Sequence, residues 1–517
     1  MRRLSRLSLA LLGAAAAVAL LAAALWSIRH DPETYPWGDA ATTSIYTKRS
    51  GDGDLLVGAY SRFYWNHPGP LLYQVLAPFY ALSGYREISL KWAALLLHVA
   101  TAGAIVGVAR RRSPLLALSL ALTLTLLIWR EPRLQFSTWN PIVPVLPLLL
   151  AAALGAAVAE GSLTMAPALM ATLSFVVQSH IGLAVPAAAI VIVTVVLALS
   201  HARSSDTTAS HWRPALAATA LTVVVLWAMP VYAELHEPRP NLAAIAEFFH
   251  NASYQPPTAL ATVAILGEQM LGPLLPVWPA ANPEVAASIS PLTVGAPLVA
   301  FVFLVAGGFL ARRAGHAYVG SLALISAAMS LSGLMAIHAI AGEIFDYLIL
   351  WQAGIGMLDL ATLAAVAASV WGSQRRVSAQ LVDAILVSWC VGVAVVGAMH
   401  LRSKHLADAR VTTTRALALD LEHYCDTHAV SRPLLESHGP AWREGTGVVL
   451  QFYKAGRAIA VNDDMVHIVG ARFRAVGTET ARFYLMDTQD SAPATETEWV
   501  TTRGAWRIVR LLNPREN

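Results

Sequence analysis

The chain reads Tyr35-Pro-Trp-Gly-Asp39 and then Tyr60-Ser-Arg-Phe-Tyr-Trp-Asn-His-Pro-Gly-Pro70 in the stretch that follows its first apolar segment. An acid, an arginine, a histidine and a row of aromatic residues therefore lie within one loop, residues 28–87. Aromatic residues are enriched at membrane interfaces, so these rings alone are also typical of an ordinary interfacial anchor. Together with the charged residues, they indicate a site that binds a charged, lipid-linked substrate at the bilayer surface.

The composition is that of a polytopic membrane protein. Of the 517 residues, 56% are hydrophobic and only 13% are charged, whereas soluble domains carry about 25% charged residues. The net charge is +4, but the basic residues form no patch or stripe, so nucleic acid is not an expected partner. Cys390 and Cys425 provide neither a disulfide framework nor a metal-ligand spacing.

Eleven apolar runs predict the transmembrane helices, since a helix needs about 20 residues to cross the hydrocarbon core. They lie near residues 7–27, 88–109, 114–129, 141–160, 165–179, 181–200, 214–234, 291–311, 317–341, 346–371 and 380–400. The first run is longer than the usual signal-peptide core of about 7–15 residues, so we interpret it as a retained span.

Clusters of arginine predict the orientation of these spans. The clusters are Arg2 to Arg6, Arg110 to Arg112, Arg203 with Arg213, Arg312 with Arg313, and Arg375 with Arg376. With eleven alternating spans all five fall on one side, which the positive-inside rule makes cytoplasmic. This places the N-terminus in the cytoplasm, and the loop 28–87 and the C-terminal domain outside the cell (inner or plasma) membrane.

The predicted fold class is an all-α polytopic membrane protein over residues 1–400, with a small extracytoplasmic α+β domain over residues 401–517. In that domain we expect a helix near 406–424 and strands at 447–453, 465–469, 481–486 and 506–511. Residues 71–82 are apolar on most faces and predict a re-entrant or in-plane interfacial helix.

Asp39 is the first candidate for chemistry, and two interpretations stay open. It precedes a segment with helical character, so it could cap a helix N-terminus. It could also be a general base or a metal-binding carboxylate, because desolvation near an apolar boundary raises a carboxyl pKa. Further along the loop, Arg62 can bind phosphate oxygens bidentately, and His67 can donate a hydrogen bond or a proton.

Three further groups are predicted to face the same side as this loop. They are Arg130 and Arg133 with Trp139 and Asn140, then Gln178 with His180, then Glu343 with Asp346. Arginines at span boundaries are also typical of snorkelling anchors, while polar residues between spans are costly and indicate function by default. The carboxylates could equally be solvated. No Gly-rich phosphate loop or Walker lysine occurs, so nucleotide-sugar donors are not expected.

The order of these features resembles the GT-C superfamily of membrane glycosyltransferases. The likeness rests on Gly38-Asp-Ala40 and on Tyr60 to Pro70, and covers the layout of residues 1 to about 400. It implies a polyprenyl-phosphate sugar donor and transfer to a hydroxyl of a glycan, lipid or protein on the extracytoplasmic face. It also implies inversion, with Asp39 as the base and sometimes a divalent metal such as Mg or Mn. Many members carry an acidic pair here, whereas this chain has Ala40 after Asp39.

The resemblance also assigns roles to the other candidates. The departing lipid phosphate gains charge, so cations should lie where that charge develops. The candidates for phosphate binding are Arg62, His67, Arg130 and Arg133. The candidates for binding the rest of the substrate are Tyr60, Trp65, Asn66, Trp139, Asn140, Gln178, His180 and Asp346.

Two other classes remain possible on the sequence alone. A transporter, flippase or polymerase of lipid-linked glycans would share the spans and the cations, but should show charged or broken helices near the midplane and internal repeats. Asp359 and Asp383 are the main charges in the predicted spans, and no repeat is evident. A non-catalytic envelope scaffold would not need Asp39 near Arg62 and His67.

Overall fold

The computed structural model describes residues 6–204, 212–237, 239–251, 256–276, 278, 284–285, 287–340, 342–372, 378–490 and 496–512. Within these residues the chain forms twenty α-helices and five β-strands. The helices are α1 Arg6–His30, α2 Gly38–Asp52, α3 Leu71–Leu82, α4 Glu87–Arg110, α5 Pro114–Arg130, α6 Arg133–Phe136, α7 Val145–Ala159, α8 Ala166–Ser179, α9 Ala184–Ser204, α10 Trp212–His236, α11 Asn241–Asn251, α12 Ala259–Leu271, α13 Pro291–Arg313, α14 Ala317–His338, α15 Asp346–Ile349, α16 Trp351–Trp371, α17 Ala379–Asp408, α18 Thr413–Thr427, α19 Trp442–Lys454 and α20 Asp463–Val469. The strands are β1 Pro433–Ser437, β2 Ala460–Val461, β3 Ala481–Asp487, β4 Thr497–Arg503 and β5 Trp506–Leu511.

The predicted fold class is confirmed, because every predicted span forms a helix. In the part of the chain that is described, eight helices are long and apolar enough to cross a membrane. Three predicted spans form shorter apolar helices, Pro114–Arg130, Val145–Ala159 and Leu163–Ser179. The protein is therefore a multi-pass membrane protein, and the number eleven stays a prediction.

Two helices, α11 and α12, lie between the predicted spans 214–234 and 291–311. α12 packs against α13 and α16. Its buried residues include Ile265 and Leu266. At 13 residues α12 is shorter than a membrane span, so a search for apolar runs of spanning length passes over it.

The chain divides into two compact units, each with its own contacts. The first unit consists of Met1–Ala22, His67–Leu72 and Ala94–Met399. Its core is formed by fully buried aliphatic side chains on α7, α14 and α16, among them Leu148, Ile325 and Ile355. At one end of these helices Arg110 pairs with Asp383 at 2.8 Å, and Arg112 pairs with Glu160. These contacts join segments that the positive-inside rule predicts on the cytoplasmic side.

The second unit consists of Ala23–Asn66, Tyr73–Ala93 and His400–Asn517. Its sheet has the order β2-β1-β3-β5-β4. β1 pairs in parallel with both β2 and β3, whereas β5 pairs antiparallel with β3 and β4. The helix α19 follows β1 and precedes β2, as a parallel pair requires of its crossover.

Two predicted strands in this unit are wrong. Residues 447–453 and 465–469 lie in the helices α19 and α20. Runs of Val, Phe and Tyr favour strands, but the buried positions of α19 include Val448, Val449 and Phe452, spaced as on one face of a helix. The strands predicted at 481–486 and 506–511 are confirmed as β3 and β5. The predicted helix 406–424 begins only at Thr413, after α17 has ended.

The loop that carries Asp39 belongs to the same unit as the C-terminal segment. α2 packs against α19, and a Cβ on Gly447 would approach the Pro36 carbonyl oxygen at 2.7 Å. Residues 28–66 and 73–87 are thus grouped with residues 400–517, whereas the sequence groups the whole loop with residues 1–400.

Lys454, at the C-terminal end of α19, forms the main ionic contact in this packing. Its ammonium lies 3.1 Å from Glu33 and 3.3 Å from Glu87, which also accepts hydrogen bonds from Ser44 at 2.6 Å and Tyr80 at 2.5 Å. Burial lowers the pKa of Lys454, but the two glutamates raise it above its usual range. The ammonium therefore stays charged and balances two carboxylates.

Replacing Lys454 by Met should destabilise the protein by about 3–5 kcal/mol, because it leaves the buried Glu87 carboxylate without its cation, while Glu33 keeps Arg86. Thermal unfolding of the purified protein in detergent measures this. The matched control is Lys404→Met, which removes an exposed pair with Asp408 on one turn of α17 and should change stability by less than about 1 kcal/mol. Equal effects from the two variants would contradict a structural role for Lys454.

Candidate active site

Asp39 lies in the first turn of α2 but does not cap it. The N-cap is Trp37, without a side-chain cap hydrogen bond, and α2 begins at Gly38 in the left-handed region at φ 58°, a conformation that glycine adopts without strain. The hydroxyls of Thr42 and Thr446 donate to the Gly38 carbonyl at 3.1 and 3.4 Å. The interpretation of Asp39 as the helix cap is therefore wrong, and its carboxylate is available for another role.

The Asp39 carboxylate accepts a hydrogen bond from the Tyr60 hydroxyl at 2.6 Å. Burial raises the pKa of Asp39, and the Tyr60 hydrogen bond and the positive charge of Arg443 only partly oppose this. The net shift is upward, so Asp39 is a stronger base than an ordinary aspartate while it remains half-buried. This is the combination that a general base requires.

Tyr60 is held by a tight hairpin that ends at Asn66. The amide of Ser61 donates to the Trp65 carbonyl at 2.8 Å, and residues 60 and 66 form an antiparallel bridge. The Asn66 amide donates to the Gly58 carbonyl at 3.3 Å, and Trp65 is buried. Of the predicted substrate ligands in this hairpin, Tyr60 thus contacts Asp39, while Trp65 and Asn66 support the turn.

Arg62 lies at the tip of that hairpin. Its side chain is exposed, and its guanidinium lies 4.9 Å from the centre of the Phe63 ring. The neighbouring Tyr64 adopts a left-handed backbone at φ 61° and is 68% exposed. A strained, exposed aromatic residue beside an arginine is unusual for a purely structural turn, so the tip remains a candidate for contact with substrate.

Three residues near Asp39 are not predicted by the sequence. Trp442 and Arg443 begin α19, and the Tyr60 ring packs edge-on against Trp442 at 6.2 Å and against His467 at 6.0 Å. Nε2 of His467 donates to the Ser61 carbonyl at 2.5 Å. About 400 residues separate these positions from Asp39, and no local pattern in the sequence brings them together.

His67 lies in the first unit, beside His180. The backbone amide of Ile181 donates to His67 Nδ1 at 3.1 Å, and the two imidazole rings are 4.7 Å apart. Burial, with the His180 charge as a smaller effect, lowers the pKa of His67 well below its usual range. Burial lowers the pKa of His180 to about 4. Both rings are neutral near pH 7, so His67 is a hydrogen-bond donor through Nε2 rather than the predicted cation.

Asn140 and Gln178 contact other segments of the first unit. The amide of Asn140 donates to the Ser179 carbonyl at 3.3 Å, and the amide of Gln178 donates to the Leu226 carbonyl in the middle of α10 at 2.8 Å. Trp139 packs against Tyr347 with ring centres 4.8 Å apart. Asn140 and His180 thus lie between helices, whereas Gln178 lies in the last turn of α8.

The two predicted arginines of the first unit are engaged by the protein itself. Arg133 donates two 2.7 Å hydrogen bonds to the Glu131 carboxylate and lies 3.4 Å from Asp346. Arg130 donates to the carbonyls of Leu275 at 2.7 Å and Trp278 at 2.6 Å. Both guanidinium groups thus have protein partners, which favours a structural role, and phosphate binding by either arginine stays a prediction.

A search of solved structures relates this architecture to a crystal structure of ArnT from Cupriavidus metallidurans in the apo state. The match covers 96% of this chain and 97% of ArnT, with a TM-score of 0.51 and 13% sequence identity. ArnT is a glycosyltransferase of the GT-C superfamily. The chain has the fold of ArnT. The scan of protein-family models and the search of curated proteins found no match.

The residues around Asp39 do not fit the divalent metal that some GT-C glycosyltransferases use. Among the described residues, no group of three or more His, Cys, Asp or Glu side chains could hold a metal ion. Asp39 is followed by Ala40 rather than by a second acid. One of its carboxylate oxygens accepts a hydrogen bond from the Tyr60 hydroxyl, and the charged residue that acts on it is the cation Arg443. Magnesium and manganese prefer several oxygen ligands, so we derive no step that involves a metal.

Gly69 allows the turn after His67 to pack on Gln178, since a Cβ at this position would overlap the Gln178 side chain. Replacing Gly69 by Ala should therefore destabilise the protein by about 1–3 kcal/mol through overpacking. Thermal unfolding of the single variants and of Gly69→Ala with Gln178→Ala tests this. We expect the double variant to recover part of the loss, because truncation of the Gln178 side chain leaves room for the new methyl group. Additive losses would show that the clash is not the cause.

Proposed function

We propose that this protein is a membrane glycosyltransferase that moves a sugar from a polyprenyl-phosphate donor to a hydroxyl of an envelope glycan, lipid or protein. The observation that carries the proposal is the half-buried Asp39 carboxylate, hydrogen-bonded by Tyr60 at 2.6 Å and raised in pKa. The GT-C fold over 96% of the chain supports it. The reaction takes place on the extracytoplasmic face of the cell membrane, with the N-terminus in the cytoplasm and residues 401–517 outside.

In the proposed step, Asp39 takes the proton of the acceptor hydroxyl as its oxygen attacks the anomeric carbon. The bond between that carbon and the donor phosphate oxygen breaks, and its electron pair leaves with the lipid phosphate. A single displacement of this kind inverts the anomeric centre. The raised pKa of Asp39 favours proton transfer, because a base is most effective when its pKa approaches the working pH.

The leaving phosphate needs donors where its charge develops. Arg62 is exposed at its hairpin tip and would supply a charged fork, whereas His67 would supply a neutral N–H. Neutral donors also stabilise developing oxyanions effectively. Recruiting Arg130 or Arg133 would instead break hydrogen bonds to protein oxygens. We propose a phosphate contact for Arg62 because its guanidinium is exposed at the tip of the hairpin that carries Tyr60, and the same role for His67 stays a prediction.

Replacing Asp39 by Asn should abolish transfer without destabilising the protein. Removal of a general base costs about a hundredfold or more in rate. A group whose pKa is raised by folding contributes stability at low pH, and this contribution is lost as the pH rises through the raised pKa. At neutral pH the ionised Asp39 therefore lowers the free energy of unfolding, whereas the uncharged Asn does not. Activity with synthetic polyprenyl-phosphate sugars and thermal unfolding at pH 7 measure both effects.

Asp52, at the other end of α2, is the matched control. Burial raises the pKa of Asp52, but hydrogen bonds from Tyr453 at 2.5 Å and Lys48 at 3.1 Å bring it below the usual value. Its stabilising contribution is present above the unfolded pKa and lost as the pH falls. Asp52→Asn should therefore lower stability and keep activity. Full transfer by the Asp39→Asn variant would refute the proposed function of Asp39.

Replacing Tyr60 by Phe should move the acid limb of the activity profile to higher pH. The Tyr60 hydroxyl lowers the pKa of Asp39 by donating to its ionised form, so its loss raises that pKa further and protonates the base at a higher pH. The profile of kcat/KM against pH, measured for wild type and variant, reports the pKa of the free enzyme. A limb that stays in place or moves to lower pH would contradict Asp39 as the titrating base.

A further inference from the structure

We propose that the first turn of α19 and the aromatic residues beside it form a subsite for an acidic acceptor glycan, with Arg443 binding its anionic group. This inference rests on the proposed function, because it takes Asp39 as the base that receives the acceptor hydroxyl. It gives the C-terminal segment a role in acceptor recognition, and it restricts the acceptor to saccharides that carry a phosphate or carboxylate near the reacting hydroxyl.

Across the described residues the guanidinium of Arg443 makes no ion pair or hydrogen bond, and it lies over the Trp37 ring at 6.0 Å. The side chain is exposed. The arginines of the first unit differ, since Arg133 binds Glu131 through two 2.7 Å hydrogen bonds. Arg443 thus retains its full bidentate capacity for an oxyanion.

Arg443 lies beside the base. A Cβ placed on Gly38 would be 3.7 Å from Arg443 Cγ and 3.8 Å from the Trp442 ring, and Gly38 immediately precedes Asp39. The charge of Arg443 also acts on the Asp39 carboxyl group, lowering its pKa as the third and smallest influence there. An anionic group bound to Arg443 would therefore belong to the molecule that reaches Asp39.

The position of Arg443 in its helix is unfavourable for folding alone. It is the second residue of α19, a helix of 13 residues, and the helix macrodipole disfavours a cation in the first turn. Burial raises the pKa of Glu444 in the same turn, and the charge of Arg443 partly opposes this. No carboxylate of the described residues lies within ion-pairing distance of Arg443, so its guanidinium could still bind an anion bidentately.

Aromatic rings around Asp39 provide the saccharide part of the subsite. Trp37 is 43% exposed and Tyr64 is 68% exposed, and Tyr64 packs against His467 with ring centres 4.9 Å apart. Trp442 is half-buried beside Tyr60. Such rings combine flat apolar faces with polar edges, which complements a pyranose ring with C–H faces and peripheral hydroxyls.

The reaction geometry assigns the anionic group to the acceptor rather than to the donor. In a single inverting displacement the base and the departing oxygen lie on opposite faces of the sugar ring, so the base acts on the acceptor side. Arg443 lies on the side of the base. The lipid phosphate leaves from the opposite face, where Arg62 rather than Arg443 is its proposed contact.

Binding of matched saccharides to the purified full-length protein tests the proposal. The probes are a short oligosaccharide, the same oligosaccharide with a phosphate monoester, and the same with a uronic acid, measured by calorimetry and tryptophan fluorescence. Wild type should bind the charged forms about tenfold or more tightly than the neutral parent. Arg443→Gln should lose this preference, and Arg443→Lys should keep part of it, since it retains the charge but not the fork. Added salt should weaken only the charged probes.

Arg415 supplies the matched control. Like Arg443, Arg415 is exposed and belongs to the second unit. Its guanidinium lies 5.3 Å from the Tyr35 ring, in the loop that carries Trp37 and Asp39, but Arg415 is not among the groups that shift the pKa of Asp39. Arg415→Gln should bind the charged probes as wild type does. Equal losses in the two glutamine variants, or a wild type that does not distinguish charged from neutral saccharides, would overturn the proposal.

Two further measurements distinguish the acceptor subsite from a donor-phosphate site and from failure of the proposed function. Polyprenyl phosphate without sugar, titrated into the same preparations, should bind wild type and Arg443→Gln equally. A selective loss for the variant would place Arg443 on the donor and refute the acceptor subsite. Failure of the proposed function is distinguishable, because it would appear as full transfer by Asp39→Asn whatever the saccharide titrations show.

Discussion

The packing of α2 against α19 is the constraint on which the candidate site depends. It is fixed by hydrogen bonds from α19 to α2, from Thr446 to the Gly38 carbonyl and from Tyr453 to Asp52. The buried ammonium of Lys454 adds ion pairs with Glu33 and Glu87, which precede and follow α2 in the chain. A buried charge tolerates little displacement, because loss of one partner leaves the others uncompensated. The first turn of α19 is thereby held beside Asp39, and the C-terminal segment becomes part of the site rather than an appendage.

This rigid support allows Asp39 to remain in an unfavourable state. A half-buried carboxylate with one hydroxyl donor is less stable when ionised than it would be in water, and its raised pKa expresses that cost. Asp52 on the same helix shows the opposite arrangement, with two donors and a lowered pKa. The pKa values of the two aspartates of one helix thus shift in opposite directions because of what surrounds them, and this contrast supports the proposed role of Asp39 as the base.

The sequence predicted the parts of the fold that depend on local pattern. The apolar runs gave the spans as helices, and the alternating strands β3 and β5 were correct. The same rules failed where α19 and α20 use Val and Phe on a buried helical face, because packing overrides propensity. Tyr60 and Asp39 could be named from one loop. Trp442, Arg443 and His467 could not, because only the packing of distant segments brings them there.

Contacts within the protein decide which arginine is the best candidate for binding substrate. The sequence offers Arg62, and after it Arg130 and Arg133, as candidates for phosphate binding. In the structure, Arg130 is bound by carbonyl groups and Arg133 by carboxylates, and recruiting either for a phosphate would break contacts whose loss has a cost. Arg443 has no such contact within the described residues and stands in a helix turn that disfavours it. An exposed guanidinium beside the proposed base, without an ion pair or hydrogen bond among the described residues, therefore supports the proposed contact with the acceptor.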